Sequence, residues 1–182
     1  MTPISLLWTA FAALGAGTIH LAVGAGAPLP LAILFAGVGA AEIGWGVATL
    51  VRGRVLVADL AVVGALIPVF VWGATATLRS GFGLPADAAG LPVFPMAVAT
   101  LFSVFVALSL AVARRRAASE SAATGTPQGR RFLAALALGG LLVSGLTTPA
   151  LAATDAGAHA VPHGSHSEPA HAVLPESPHS HH

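Results

Sequence analysis

The sequence predicts an all-α integral membrane protein: a bundle of about five transmembrane helices followed by a disordered, His-rich C-terminal tail. Three observations predict it. Hydrophobic residues make up 55% of the 182 residues and charged ones only 8%, with a mean hydropathy of +0.84, a balance foreign to soluble domains. Five stretches reach or approach the roughly 20 apolar residues that cross a hydrocarbon core. Seven of the eight histidines then fall between His159 and His182, directly behind the last of these stretches. A soluble helical bundle would need polar faces recurring about every 3.6 residues, and these stretches are apolar all round.

The spans are expected at about 5–27, 29–51, 55–78, 91–113 and 132–153. Pro28 and Pro30 separate the first two, and Arg52-Gly53-Arg54 separates the second from the third. A Gly/Pro-rich loop from Ser80 to Gly90 precedes the fourth. The organisation is then a four-helix membrane region (1–113), a basic linker (114–131), a fifth transmembrane or signal-like helix (132–153) and a tail (154–182). Pro68, deep in span three, is expected to kink it, whereas Pro92 and Pro95 stand at the start of span four, where a missing N–H costs little.

Orientation follows from the cations. Arg52, Arg54, Arg114, Arg115, Arg116, Arg130 and Arg131 lie in the second and fourth connections, against Arg79 alone on the other side. The positive-inside rule puts the N-terminus in the cytoplasm and the tail outside. Membrane orientation explains these arginines without nucleic acid. The absence of Lys and Asn beside abundant Ala, Gly and Arg is typical of GC-rich genomes, and the expected location is a bacterial cytoplasmic membrane. The lipid bilayer is then the first partner, with a larger membrane complex or a homo-oligomer as further candidates.

Several chemistries are excluded by composition. With no cysteine there are no disulfides, thiolate metal sites or thiol nucleophiles in this chain, and with no lysine there is no Schiff base. No Rossmann, Walker, HExxH or G-x-S-x-G motif occurs in a supporting context. No catalytic residue is assigned, and the chain reads as a non-enzyme.

Within the spans, the polar candidates are His20, Glu42 and Asp59. Ala13, Ala16, Gly17 and Gly24 share the face of His20, which points that histidine into the bundle. In span two, Gly37, Ala40, Gly44 and Ala48 form a small-residue stripe on which a neighbouring helix can nest, while Phe35, Glu42, Trp45 and Thr49 occupy another sector. An ionisable group well inside a span faces protein or water, so Glu42 is a site candidate; the plainer role is an acid that only orders the bundle. Counted from the helix ends, Glu42 lies about 10 Å deeper than His20, so contact would need tilt or water. Asp59 is expected to pair with Arg52 or Arg54 across the short turn.

Arg130-Arg131, an apolar run and Ala150-Leu151-Ala152 have the three regions of a secretory signal, so cleavage after Ala152 stands beside a plain last helix. In the tail, His159, His163 and His166 could turn three imidazoles to one side, and His171, His179, His181 and His182 could join a flexible wrap with Asp155, Glu168 or Glu176. Imidazole suits divalent Cu, Zn or Ni, bound as the histidines deprotonate. A pH sensor and an inert solvated tail are the alternatives.

His20, the segment from Phe35 to Trp45, Trp72, Arg79 and Phe82-Gly83-Leu84-Pro85 together resemble small uncharacterised multi-spanning membrane proteins of actinobacterial type. Several of those end in a His- and Gly-rich segment after an Ala-rich last helix. The resemblance is loose over most of the chain, and its one sharp motif is Gly83-Leu84-Pro85. Span one has no second histidine after His20, and Asp87 is the only acid between Pro85 and Gly90. The resemblance implies a membrane protein and adds no activity. Three functions follow: an accessory protein capturing a divalent metal through its tail, a small proton or cation transporter or channel-like subunit using His20 and Glu42, or a structural subunit of a larger complex.

Overall fold

The computed structural model describes residues 2–81, 91–119 and 129–160, and the described residues are helices and their connections. The elements are α1 (Pro3–Ala25), α2 (Leu29–Arg52), α3 (Ala58–Gly81), α4 (Val93–Ser119), α5 (Gly129–Ala152) and a single turn, α6 (Asp155–Ala158). The first five are long and apolar enough to cross a membrane.

Local chemistry sets the ends. Thr2 caps α1, its hydroxyl accepting the Ser5 N–H at 3.2 Å, with Pro3 in the first turn where a missing donor is harmless. Gly53, at φ +62°, closes α2 in the left-handed conformation that a glycine adopts without a Cβ clash. Pro92 accepts the Met96 N–H at 3.2 Å as α4 begins. Pro68 lies inside α3 and is fully buried.

Helix α1 is the hub. It is buried along most of its length and carries α2, α4 and α5 around it, while α3 packs mainly on α4. Ala12, Ala13, Ala16 and Ile19 meet Met96, Ala99, Phe102 and Val106 of α4 in the core. Outside, Leu29, Val51, Leu60, Phe70 and Leu141 are widely exposed and form a broad apolar surface.

Several sequence expectations shift. Helix α4 runs on through Arg114, Arg115 and Arg116, and α5 begins with Arg130 and Arg131 in its first turn, so the linker expected over 114–131 is shortened from both sides. The tail expected from residue 154 starts with structure instead. Thr154 is buried, its hydroxyl accepts the Gly157 N–H at 3.1 Å and donates to Leu151 O at 2.6 Å, and Asp155 packs against Gly26 beyond the end of α1. Helix α5 continues through Ala152, with Ala150 fully buried.

The small-residue stripe of α2 is also misplaced by sequence reasoning. Gly37, Ala40 and Gly44 are exposed, and a Cβ added at Gly37 or Gly44 would meet nothing within 4 Å. The helix instead buries Phe35, Gly39, Glu42, Gly46 and Thr49. Two interleaved glycine series run along α2, and the one that shares a face with the large and polar residues faces α1.

Candidate functional site

The site is built by the α1–α2 hairpin. Gly26 and Ala27 close it by donating to Val23 O and Gly24 O at 3.3 and 3.2 Å. Below the turn the two backbones come close: a Cβ on Gly17 would lie 2.7 Å from Gly39 O, and one on Gly46 would lie 3.1 Å from Ala10 O. Only glycine at these positions allows that approach.

Across this seam, His20 Nδ1 and Glu42 Oε2 lie 2.6 Å apart. His20 is 1% exposed and Glu42 9%. Phe35, itself fully buried, stacks on the imidazole with ring centroids 5.7 Å apart and planes 25° from parallel. The separation is that of a short hydrogen bond between the ring nitrogen and a carboxyl oxygen.

Direct contact overturns the expected offset of about 10 Å. Gly24 packs against Ala32, Phe35 and Ala36, so the first turn of α2 overshoots the end of α1 and the count from helix ends misjudges depth. Gly17 sits level with Glu42, whose Cβ is 3.1 Å from the position a Cβ on Gly17 would take. That leaves three residues, about 4.5 Å, between the levels of His20 and Glu42. Side chains lean toward the N-terminus of their own helix. In antiparallel helices these two therefore lean toward each other and close the gap.

Asp59 does not join them. It pairs with Arg114 at the end of α4, not with Arg52 or Arg54 as the sequence suggested, and both side chains are largely exposed, at 79% and 58%. Helix α3 lies along α4 and so brings its first turn beside the last arginines there.

Glu42 has a second neighbour: a half-open cleft of about 450 Å³ between α2 and α3, in which it is the one ionisable lining residue. Trp45 lines the cleft too, its indole N–H donating to Leu56 O at 2.7 Å and so tying the α2–α3 turn to α2. Sequence reasoning missed the stacking of Phe35 and the anchoring of Trp45; both were legible only as members of the Glu42 sector. It also missed that Thr49 and Ser103 are fully buried hydroxyls with no protein partner.

Of the tail residues proposed for metal, His159 is exposed, with Nδ1 2.8 Å from Asp155 O and 3.9 Å from its carboxylate. His163, His166, His171, His179, His181 and His182, with Glu168 and Glu176, lie outside the described residues. Among the described residues no three His, Asp or Glu side chains are grouped to hold a metal ion.

No family model, curated protein or solved structure matches the chain.

Proposed function

We propose that the chain is a non-enzymatic multi-pass protein of a bacterial cytoplasmic membrane, N-terminus inside and C-terminus outside, that handles a proton or cation at His20 and Glu42 as a small transporter or channel-like subunit. The buried contact of these two side chains, with Glu42 on the wall of an open cleft, carries the reading. Holding one ionisable proton, the pair is neutral, whether as acid and imidazole or as carboxylate and imidazolium. Without that proton it carries one negative charge, which an apolar interior disfavours unless a cation takes its place. A pair built only to order the bundle needs no access, yet Glu42 borders a cleft.

The test is flux. The full-length protein in proteoliposomes carrying an internal pH dye should move protons or monovalent cations down an imposed gradient. Glu42→Gln, close in shape and unable to ionise, should stop this. Flux absent from the native protein, or unchanged in Glu42→Gln, would sink the reading.

The tail supports a second reading, capture of divalent Cu, Zn or Ni, because seven histidines crowd between His159 and His182 and the first of them is exposed at the end of α6. Calorimetric titration of the full chain with each ion should show binding that weakens in mild acid. Replacing the seven histidines with serine should remove it; equal binding before and after replacement refutes tail capture.

A further inference from the structure

Helices α2 and α3 leave the half-open cleft of about 450 Å³ because small residues face it from both sides. Gly37 and Gly64 line it, and a Cβ on either would meet nothing within 4 Å. Ala41 and Leu60 add apolar wall, and Trp45, tied to Leu56 O, closes it toward the arginine-bearing end. The volume lies in the range of small-molecule pockets, about 300–1,000 Å³.

Resting on the proton-handling reading above, we infer that this cleft takes a lipophilic monovalent cation, an apolar body around a single positive charge, in exchange for the proton held by His20 and Glu42. Charge complementarity selects this occupant. The wall offers one group able to carry charge, a carboxylate, so an anion is repelled, and a neutral apolar molecule or lipid chain gains nothing from Glu42. A hydrated metal ion lacks further oxygen or nitrogen ligands, since the described residues group no third His, Asp or Glu here. An apolar cation needs only the walls and one negative charge.

Two occupancy states are neutral. In one the pair holds its proton and the cleft holds no cation; in the other the proton has left to bulk solvent and the cation sits beside the carboxylate. Each exchange breaks one N–H or O–H bond at the pair and releases one proton for one cation bound. No other titratable group intervenes among the described residues. His20 is the only one on α1, Arg52 ends α2, Asp59 and Arg79 stand near opposite ends of α3 with Asp59 against Arg114, Arg114–Arg116 of α4 and Arg130–Arg131 of α5 lie at the Asp59 end, and Asp155 is at the other.

The probe is tetraphenylphosphonium, titrated into the full-length protein in weakly buffered detergent with a pH indicator, with triphenylphosphine oxide as an uncharged aromatic control. Native protein should bind the cation, release one proton per cation while the pair is protonated, and gain about tenfold in affinity per pH unit over that range. Glu42→Gln should weaken binding roughly 30-fold or more. Gly64→Leu, which fills the cleft from α3 where an added Cβ meets nothing within 4 Å, should do the same, while Gly145→Leu, on the open surface of α5, should not.

Binding that survives both Glu42→Gln and Gly64→Leu, or equal binding of the phosphine oxide, means partition into detergent and overturns the proposal. A Gly64→Leu protein that turns from dimer to monomer yet binds as before makes the cleft a face for a second copy, which also overturns it. The proteoliposome assay separates the readings: Glu42-dependent proton flux with no phosphonium binding defeats this inference alone, and no Glu42-dependent proton flux defeats both.

Discussion

Gly17 and Gly39 face each other so closely that a Cβ placed on either would stand 2.7 Å from the other's carbonyl oxygen. That contact fixes the register in which His20 meets Glu42. It predicts a graded response: Gly17→Ala or Gly39→Ala forces the helices apart, at a cost of about 1–3 kcal/mol typical of overpacking, and leucine at either position costs more. Gly37→Ala or Gly44→Ala, on the open face, should be neutral or slightly stabilising through helix propensity. Unfolding by denaturant in micelles checks this, and equal losses at Gly39 and Gly44 would refute the packing.

The pair itself predicts a non-additive pattern. Removing one partner, as His20→Ala or Glu42→Ala, strands a buried polar group and should cost about 3–5 kcal/mol. Replacing both with apolar side chains, His20→Phe with Glu42→Leu, should recover most of that loss, since a filled apolar core needs no pair. A double-mutant cycle on micellar unfolding measures the coupling. The double variant should be folded yet inactive in proton release, which separates stability from function.

How far the sequence reveals this arrangement depends on what each residue reports. Five long apolar helices are legible because length and hydropathy are one-dimensional quantities, and Phe35, Glu42, Trp45 and Thr49 are legible as one sector because helical spacing is local. That this sector, and not Gly37 with Gly44, faces α1 is not legible, since both faces present glycine at similar spacing. The depth of Glu42 relative to His20 depends on how far α2 overshoots the turn, which no local signal encodes. The partner of Asp59 required knowing that α3 lies against α4. The histidines from His163 onward lie outside the described residues, so their role rests on composition.

At the start of α3, the Asp59–Arg114 pair is exposed on both sides. Asp59→Asn should therefore cost less than about 1 kcal/mol, and the loss should shrink further in high salt. It should leave proton and phosphonium responses at Glu42 unchanged. A large loss of either response on Asp59→Asn would place the acid on the ion path after all.

Val57 is the one non-glycine among the described residues with positive φ, at +40°, and it is β-branched, the side-chain type least suited to that region. It follows Leu56, whose carbonyl accepts the Trp45 indole at 2.7 Å, so the tight turn between α2 and α3 is held by that bond against local strain. Strain of this kind costs of order 1–3 kcal/mol, partly offset by the extra unfolded-state freedom a glycine brings. Val57→Gly should then raise stability by about 1 kcal/mol in a micellar melt. Trp45→Phe, which keeps the ring and loses the donor, should release the turn and lower stability by about 1 kcal/mol. The two changes share one turn, so they should couple: with the strain removed by glycine, the Trp45→Phe loss should be smaller than in the native background. Independent, additive effects would mean that the bond and the strained residue do not act on the same segment.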